Sequence, residues 1–287
     1  MNVHDEEFVP PATNPELLRR LKAEVRSIVV PGDIHRVRNT ILEENEGVVP
    51  HEMRGTIWLY LLGLSPDQVL AQEDPNSFAA AAKASVNDEN SKDQIWKDVR
   101  RTRPTLQRFR EERVRNALVR LLSLFCHRNK ITYIQGLNEI LAPFILLPDA
   151  GGNPRLVYGL FNGFVARFAS FLLDDFEQSM FATLKVAFSF FGRLLLYHDP
   201  ELFWYLENRG MSVNLYTTSW FITVFARNFS LETLLYLWDL LLLEDHALGI
   251  YFFGLALVLD KRNELLSIDA SHLPETLMNL APHTASE

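Results

Sequence analysis

The sequence holds little cysteine, an excess of acidic over basic residues and no very long apolar run, and each of these features excludes a class of protein. Cys126 is the single cysteine in 287 residues, so an internal disulfide cannot form, which fits a reducing compartment. The formal net charge is -8 at pH 7. Proteins that bind nucleic acid or anionic lipid by electrostatic attraction depend on clustered cations, so we expect no nucleic-acid partner.

Membrane insertion and secretion are not expected either. The most apolar stretches, Val186–Phe191 and Ile250–Leu259, are bounded by charged residues and fall well short of the roughly 20 residues that a membrane span needs. The first ten residues, MNVHDEEFVP, have neither the basic start nor the apolar core of a secretory signal. We therefore expect a soluble protein in the cytoplasm.

The usual residues of metal and nucleotide sites are also missing. The eight histidines are scattered without the close spacing of a zinc-binding helix, so we expect no metal site. The sequence has no Walker-type glycine loop and no GxSxG turn, so we expect no cofactor and no nucleotide site of the chain's own.

Helical signals recur along the whole chain, whereas alternating strand patterns are almost absent, so we predict an all-α fold. Ile28–Pro31 is the only strand-like candidate. Four helix starts are indicated because a capping side chain precedes a proline, and Gly210 indicates the end of the last of these helices. The four starts are Asn14-Pro15, Ser65-Pro66, Asn153-Pro154 and Asp199-Pro200.

Three further segments lead to specific expectations. The apolar spacing within residues 17–25 predicts a short amphipathic helix, and the dense apolar positions from Leu106 through Phe125 predict a buried one. Between Gln72 and Asp93 the pattern weakens into polar and alanine-rich residues, which predicts an exposed loop with one short helix.

A short helix that ends in arginines is the first candidate for chemistry. Ser91–Gln94 has the spacing of a capping box and predicts its start, and Pro104 predicts its end. Asp98 and Arg101 lie three residues apart, so the carboxylate can hold the guanidinium in place. Such an arginine could reach a phosphate on a partner, although a run of arginines is by itself more typical of a solvated basic surface.

The second candidate is the polar segment Thr132–Glu139, which interrupts two apolar stretches. Gly136 permits a tight turn, so the Gln135 amide can point outward while Tyr133 packs beneath it. An amide that both donates and accepts can position an attacking water. The alternative is a loop whose polar groups only satisfy the helix ends around it.

Together the two segments resemble the paired finger motifs, IxxDxxR and YxQ, of TBC-domain Rab GTPase-activating proteins. Further blocks in the same order resemble that family over roughly residues 45 to 265. The finger motifs are Ile95, Asp98, Arg101, Thr102 and Pro104, then Tyr133, Gln135, Gly136 and Asn138. The flanking blocks are Arg54, Trp58 and Leu61–Gly63, then His198–Leu202, Trp220, Phe225 and Trp238-Asp239.

The resemblance implies a single large multi-helix TBC domain with short connecting loops. It implies an N-terminal helical lead-in over residues 1–44 that packs on the domain, the TBC domain over 45–270 and a C-terminal tail over 271–287. The chain would act as a GTPase activator rather than as an enzyme in its own right. The implied partner is a Rab-family GTPase in its GTP-bound state, with Mg²⁺ and GTP belonging to that partner, and contact with membranes would come only through the Rab.

The resemblance also implies a role for each site residue. Arg101 would place positive charge on the transferred phosphoryl group, and Gln135 would replace the partner's own water-positioning glutamine. Asp98 would orient Arg101, and Tyr133 with Asn138 would stiffen the glutamine loop. The remaining supporting residues implied are Arg54 with Trp58, Ile95, Thr102 and Gly136.

Two other hypotheses remain open at this level. A TBC fold could dock a Rab or an adaptor without accelerating hydrolysis, because function resides in the site and not in the fold. An unrelated helical scaffold that binds peptides along a groove would require all the motif matches to be accidental.

Overall fold

The computed structural model describes residues 10, 12–87, 89–173, 179–244, 246 and 248–280, and this part of the chain is helical throughout. No strand occurs among the described residues, which confirms the all-α prediction. The α-helices are α1 Pro15–Arg26, α2 His35–Glu44, α3 Arg54–Leu61, α4 Pro66–Ala71, α5 Pro75–Ala84, α6 Glu89–Arg101, α7 Glu112–Asn129, α8 Leu137–Ile145, α9 Pro154–Phe168, α10 Ser179–His198, α11 Pro200–Glu207, α12 Val213–Thr223, α13 Leu231–Leu243, α14 Gly249–Asp260, α15 Arg262–Ser267 and α16 Leu273–Met278. Short 3₁₀ turns cover Pro31–Ile34, His51–Met53, Ser85–Asn87, Gln107–Arg110 and Ser170–Leu173.

The four predicted helix starts are confirmed. In each case the capping side-chain oxygen accepts a hydrogen bond from a backbone N–H of the first turn, which satisfies a donor that has no partner inside the helix. The pairs are Asn14 with Glu16 at 2.9 Å, Ser65 with Gln68 at 3.1 Å, Asn153 with Arg155 at 3.1 Å and Asp199 with Leu202 at 2.9 Å. Gly210 follows the end of α11 at φ +74°, as predicted for a helix stop.

The strand-like interpretation of Ile28–Pro31 is wrong. Val29 and Val30 lie in an exposed bend, and Pro31 begins a 3₁₀ turn. A β-branched pair indicates a strand only where a neighbouring strand can pair with it, and no strand occurs in the described part of the chain.

The exposed loop expected between Gln72 and Asp93 is largely helical instead. The Asp74 side chain caps α5 by accepting from two backbone N–H groups, and Phe78 with Ala82 is buried. Alanine is the strongest helix former, so the alanine-rich stretch propagates the helix once it is capped and anchored.

Two predicted boundaries are also wrong. Helix α6 begins at Glu89, before the capping box expected at Ser91–Gln94, and the Ser91 side chain lies outside the described residues. Helix α7 begins at Glu112 rather than near Leu106, because Gln107–Arg110 forms a 3₁₀ turn that buries Phe109. The apolar density that suggested a continuous helix therefore arises from two separate elements.

The core is centred on an aromatic cluster that joins α3, α8, α9 and α13. Trp238 lies 4.3 Å from Phe164, 5.3 Å from Phe144 and 6.0 Å from Trp58 between ring centroids. Large rings of this kind bury extensive apolar area and prefer such offset and edge geometries. None of the helices in the described part of the chain is both long enough and apolar enough to cross a membrane.

A buried ion pair lies beside this cluster. The Arg54 guanidinium donates from Nε to Asp239 Oδ1 at 3.0 Å and from Nη2 to Oδ2 at 2.9 Å. Trp58 Nε1 donates to Oδ1 at 2.8 Å and the Val49 amide donates to Oδ2 at 2.9 Å. Arg54 is 2% exposed and Asp239 is 0% exposed, so α3 and α13 are joined by charges that no water can screen.

Burial shifts the pKa values of Asp239 and of the neighbouring His51. Complete burial raises the pKa of the Asp239 carboxyl above its ordinary value, and the Arg54 charge with the surrounding hydrogen bonds opposes that rise. Arg54 Nη1 lies 2.8 Å from His51 Nδ1, and an arginine only donates, so this ring nitrogen carries no proton. Burial lowers the pKa of His51 below 6.5, and the nearby Arg54 charge lowers it further.

Replacement of Arg54 by alanine should be strongly destabilising. The change leaves Asp239 buried without its counter-charge, which costs about 3 to 5 kcal/mol in the free energy of unfolding. Urea denaturation at pH 7 measures the loss. The control is Arg19→Ala, because Arg19 is 81% exposed and lies 3.8 Å from Glu16, so its removal changes stability by less than about 0.5 kcal/mol. Equal effects of the two substitutions would contradict the role given to the buried pair.

Stability should fall as the pH is lowered through about 6.5, and His51 should account for part of that loss. The unfolded chain binds a proton at the ordinary pKa, whereas the folded chain binds it only at lower pH, so acid favours unfolding until the folded pKa is passed. Urea midpoints at pH 7.5, 6.5 and 5.5 should depend less on pH in His51→Gln than in the wild type. The matched control is His127→Gln, at an exposed position on α7. An unchanged pH dependence in His51→Gln would rule out this assignment.

Candidate functional site

The last turn of α6 presents one exposed arginine on a buried support. The Asp98 side chain is 2% exposed, whereas the Arg101 side chain is 67% exposed. Arg101 Nη2 donates to Asp98 Oδ1 at 2.6 Å, and Gln94 Nε2 approaches the same oxygen at 3.3 Å. A buried carboxylate with one exposed partner restricts where the guanidinium can point. The guanidinium is thus held through Nη2, while most of the side chain stays open to solvent.

A polar network joins this helix end to the segment that carries Gln135. The Tyr133 hydroxyl faces Asp98 Oδ2 at 3.1 Å and Asn138 Oδ1 at 3.0 Å, and its one proton is shared between these two acceptors. Asn138 Nδ2 donates to Thr102 Oγ1 at 2.9 Å, and Thr102 Oγ1 in turn donates to the Asp98 carbonyl at 2.9 Å. Two hydrogen-bonded routes, both running from Asp98 to Asn138, therefore connect α6 with the start of α8.

The orientation of the Asn138 amide follows from its neighbours. Its Oδ1 accepts from the Gly136 backbone N–H at 3.2 Å, and its Nδ2 reaches Glu139 Oε1 at 3.2 Å. A flipped amide would place donors against donors at Gly136 and acceptors against acceptors at Glu139.

The Tyr133 hydroxyl is held in its protonated form. Burial raises the pKa of Tyr133 well above its ordinary value, and the nearby Asp98 carboxylate raises it further. The hydroxyl therefore stays protonated and continues to donate.

The glutamine loop has the geometry that its glycine predicts. Gly136 adopts φ +118°, a conformation that few residues with a side chain can reach, and it directly precedes α8. Gln135 is exposed while Tyr133 is buried beneath it. A Cβ at Gly136 would lie 3.1 Å from methyl carbons of both Ile222 and Thr223, so the loop packs closely on the end of α12.

The arrangement offers two different exposed groups on one rigid support. An arginine supplies a planar cation with several donors, and a primary amide can donate to one oxygen while it accepts from another. This combination suits the stabilisation of a phosphoryl group and the positioning of a water molecule.

Comparison with known proteins identifies the family. The family model described as the Rab-GTPase-TBC domain matches residues 51–266. This chain belongs to that family.

Relatives with similar sequences carry the same domain in their names. The TBC domain-containing protein kinase-like protein of Homo sapiens is 32% identical over 138 residues, which are 48% of this chain and 15% of that protein. Rab GTPase-activating protein tbc-11 of Caenorhabditis elegans is 26% identical over 77% of this chain and 23% of its own length. Growth hormone-regulated TBC protein 1 of Homo sapiens is 27% identical over 85% of this chain and 69% of its own length. This chain thus spans under a quarter of the length of the first two relatives.

Solved TBC domains have the same fold. The Ypt/Rab-GAP domain of Gyp1p superposes with a TM-score of 0.75 at 18% identity, over 95% of this chain and 93% of that domain. The Chlamydomonas flagellar RabGAP TBC domain superposes with a TM-score of 0.71 at 18% identity, over 92% of this chain and 85% of that domain. At this level of identity the likeness establishes the TBC fold alone.

The structure brings most of the predicted site residues of this TBC domain together, with three exceptions. Ile95, on the buried face of α6, lies in the core at 1% exposure, where it anchors the helix. Arg54 contacts Asp239 and His51, not the residues around Asp98. Trp58 belongs to the core at 0% exposure, as expected for a large aromatic residue.

Arg103 is a residue whose position the sequence did not indicate. In the sequence it belongs to a run of arginines that is typical of an exposed basic surface. In the structure it is buried, and its Nη2 donates to the carbonyls of Ala226 at 2.8 Å and Phe229 at 3.3 Å. It adopts φ +38° immediately before Pro104. Because Arg103 lies two residues after Arg101, its hydrogen bonds hold in place the segment that follows α6. No local pattern distinguishes it from the exposed Arg100 next to Arg101.

The end of α12 and the turn that joins it to α13 therefore support both candidate fingers. Ile222 and Thr223 pack against Gly136, while Ala226 accepts the hydrogen bond from Arg103. Within this turn Val224 has φ +46° and Phe225 has φ +63°. Such values are strained for residues with bulky side chains, so the surrounding core must hold the turn in place.

Gly136→Ala should destabilise the TBC domain more than a similar change at an open glycine. The positive φ alone costs alanine about 1 kcal/mol, and the contacts with Ile222 and Thr223 add to that cost. The matched control is Gly210→Ala. Gly210 also has a positive φ, +74°, but a Cβ added there would meet no heavy atom within 4 Å. Thermal and urea denaturation compare the two variants, and equal losses would show that the packing against α12 contributes nothing.

Proposed function

We propose that this chain accelerates GTP hydrolysis by a GTP-bound Rab-family GTPase, with Arg101 and Gln135 supplied in trans as the two catalytic fingers. Mg²⁺ and GTP would arrive with the partner, and attachment to membranes would come through the Rab. The observation that carries the proposal is the Arg101 side chain, 67% exposed and yet ion-paired at 2.6 Å to an aspartate that is 2% exposed.

The physical requirements of phosphoryl transfer support this assignment. The reaction asks for positive charge on the γ-phosphoryl oxygens and for a water molecule in line with the bond that breaks. A preoriented guanidinium meets the first requirement without loss of side-chain freedom at the moment of reaction, because Asp98 already restricts it. The exposed Gln135 amide meets the second.

The two finger groups are linked through the interior of the TBC domain. Tyr133 connects the Gln135 loop to the carboxylate that holds Arg101, and Asn138 connects the same loop to Thr102. The two loops therefore share one hydrogen-bonded network.

Family membership and the names of relatives such as Rab GTPase-activating protein tbc-11 support a Rab as the partner class.

Substitution of either finger should abolish the stimulation of GTP hydrolysis. Purified Rab GTPases are loaded with GTP, and phosphate release is followed with and without the TBC protein. Loss of a trans arginine costs roughly 10³ to 10⁵ in rate, and Arg101→Lys should recover little of it because a point charge cannot bridge two oxygens as a planar fork does. Gln135→Ala should also reduce the maximal rate, while binding of the GTP-loaded partner persists.

Matched controls come from neighbouring residues. Arg100→Ala removes the adjacent exposed arginine, whose guanidinium lies 5.9 Å from the Trp96 ring, and should leave the rate nearly unchanged. Gln107→Ala removes an exposed glutamine outside the network. Stimulation that survives in Arg101→Ala would show that the catalytic cation has been misplaced. Binding of a GTP-loaded Rab without any stimulation in the wild type would identify a docking domain instead.

A further inference from the structure

A second concave site lies on the side of the TBC domain at the far end of α8. A cavity of about 670 Å³ opens between α5, α7 and the turn that joins α8 to α9. Helix α8 starts beside Gln135 and ends at Ile145, which lines the cavity. At 1.5 Å per residue the two ends of α8 are about 12 Å apart, so this cavity is separate from the finger site.

The charge around the cavity is of one sign. Its lining contains four arginines, namely Arg108, Arg113, Arg120 and Arg155, and no aspartate or glutamate. The whole chain has a formal charge of -8, so this clustering runs against the overall composition. Arg108, Arg113 and Arg120 are exposed and form no ion pair with any residue that the structure describes.

One of these arginines is fixed in place. Arg155 Nη1 donates to the backbone carbonyls of Leu70 and Glu73, both at 2.8 Å, and the side chain is half-buried. Its guanidinium is therefore a preorganised cation next to the start of α9, in the lining of the cavity. Arg113 and Arg120 lie seven residues apart on α7 and face the cavity from one wall.

The remaining lining of the cavity is largely apolar and forms its floor. Phe78, Val114, Leu121, Ile145 and Val157 contribute to the lining, and small alanines of α5 leave the space open. An apolar floor under a rim of arginines matches a ligand that carries both negative charge and apolar surface. Inorganic phosphate would satisfy the rim and leave the floor wet, whereas a flat bilayer surface would touch the rim without filling the cavity.

We propose that this basic cavity binds a short acidic peptide segment of a partner protein, with one apolar side chain of the peptide seated on the floor. Arg113 and Arg120 are about 10 Å apart along α7, a distance that three extended peptide residues span. Carboxylates at alternate positions of such a segment lie about 7 Å apart on one face, within reach of both long and exposed arginine side chains, and can meet the guanidinium groups as bidentate pairs. The site recruits a partner and does not depend on the proposed GTPase activation.

The test uses a fluorescein-labelled peptide with one phenylalanine flanked by glutamates, titrated with the full chain and followed by fluorescence anisotropy. We expect saturable binding that weakens as salt is raised from 50 to 300 mM, because rim contacts between exposed charges are screened. A peptide with glutamines in place of the glutamates, and a peptide with glycine in place of the phenylalanine, should each bind at least about tenfold more weakly.

Charge reversal on the wall distinguishes this site from general basic attraction. Arg113→Glu and Arg120→Glu should each weaken peptide binding roughly tenfold or more, since each replaces an attraction with a repulsion. The control Arg19→Glu makes the same charge reversal at an exposed position on α1 and should leave the affinity unchanged. Circular dichroism checks that the variants stay folded.

Several outcomes would overturn the proposal. Equal binding of the glutamine peptide, or equal affinity in Arg113→Glu and the wild type, would exclude a specific acidic-peptide site. Displacement of the peptide by millimolar inorganic phosphate would indicate a simple anion site. Binding to vesicles that contain phosphatidylserine, lost in Arg120→Glu while the peptide fails to bind, would assign the cavity to a membrane surface instead.

Discussion

The rest of this TBC domain depends on the ion pair and hydrogen bonds that the buried carboxylate of Asp239 forms. It accepts hydrogen bonds from Arg54, Trp58 and Val49, residues that lie 181 to 190 positions earlier in the chain. A carboxylate with no exposed surface is tolerated only when a counter-charge and several donors surround it. Residues near the start of the TBC domain are thereby joined to α13, with α3 and α13 fixed against the same aromatic cluster.

That constraint continues toward the candidate fingers. Trp238, next to Asp239, donates from Nε1 to the Val224 carbonyl at 3.0 Å, inside the strained turn between α12 and α13. The same turn accepts the hydrogen bond from Arg103, and the end of α12 directly before it packs on Gly136. Core packing thus reaches the loops of both Arg101 and Gln135 through a few contacts, which explains how such a turn can hold residues at positive φ.

The second buried carboxylate, Asp98, acts at the surface as Asp239 acts in the core. It holds one exposed arginine on one side and meets the Tyr133 hydroxyl on the other. Helix α8 then separates two chemically different surfaces, since Gln135 precedes its first residue and the arginine-lined cavity borders its last. One side offers two exposed groups that we propose as catalytic fingers, and the other offers a cluster of cations over an apolar floor. The two proposals for this protein therefore make different demands on a partner and can be tested separately.

The sequence by itself determined the features that depend on neighbouring residues. The four proline-associated caps, the end of α6 before Pro104 and the left-handed Gly136 follow from local geometry, and the finger motifs indicated the family. It underestimated the helical structure between Gln72 and Asp93, where it indicated an exposed loop with one short helix, because a weak apolar pattern hid the two buried residues of α5, Phe78 and Ala82. Only the tertiary structure decided that Arg54 joins Asp239, that Arg103 is buried while Arg100 is exposed, and that arginines from three elements surround one cavity. The physical reason is that burial and ion pairing depend on residues far apart in the chain, whereas caps and turns depend on a few adjacent ones.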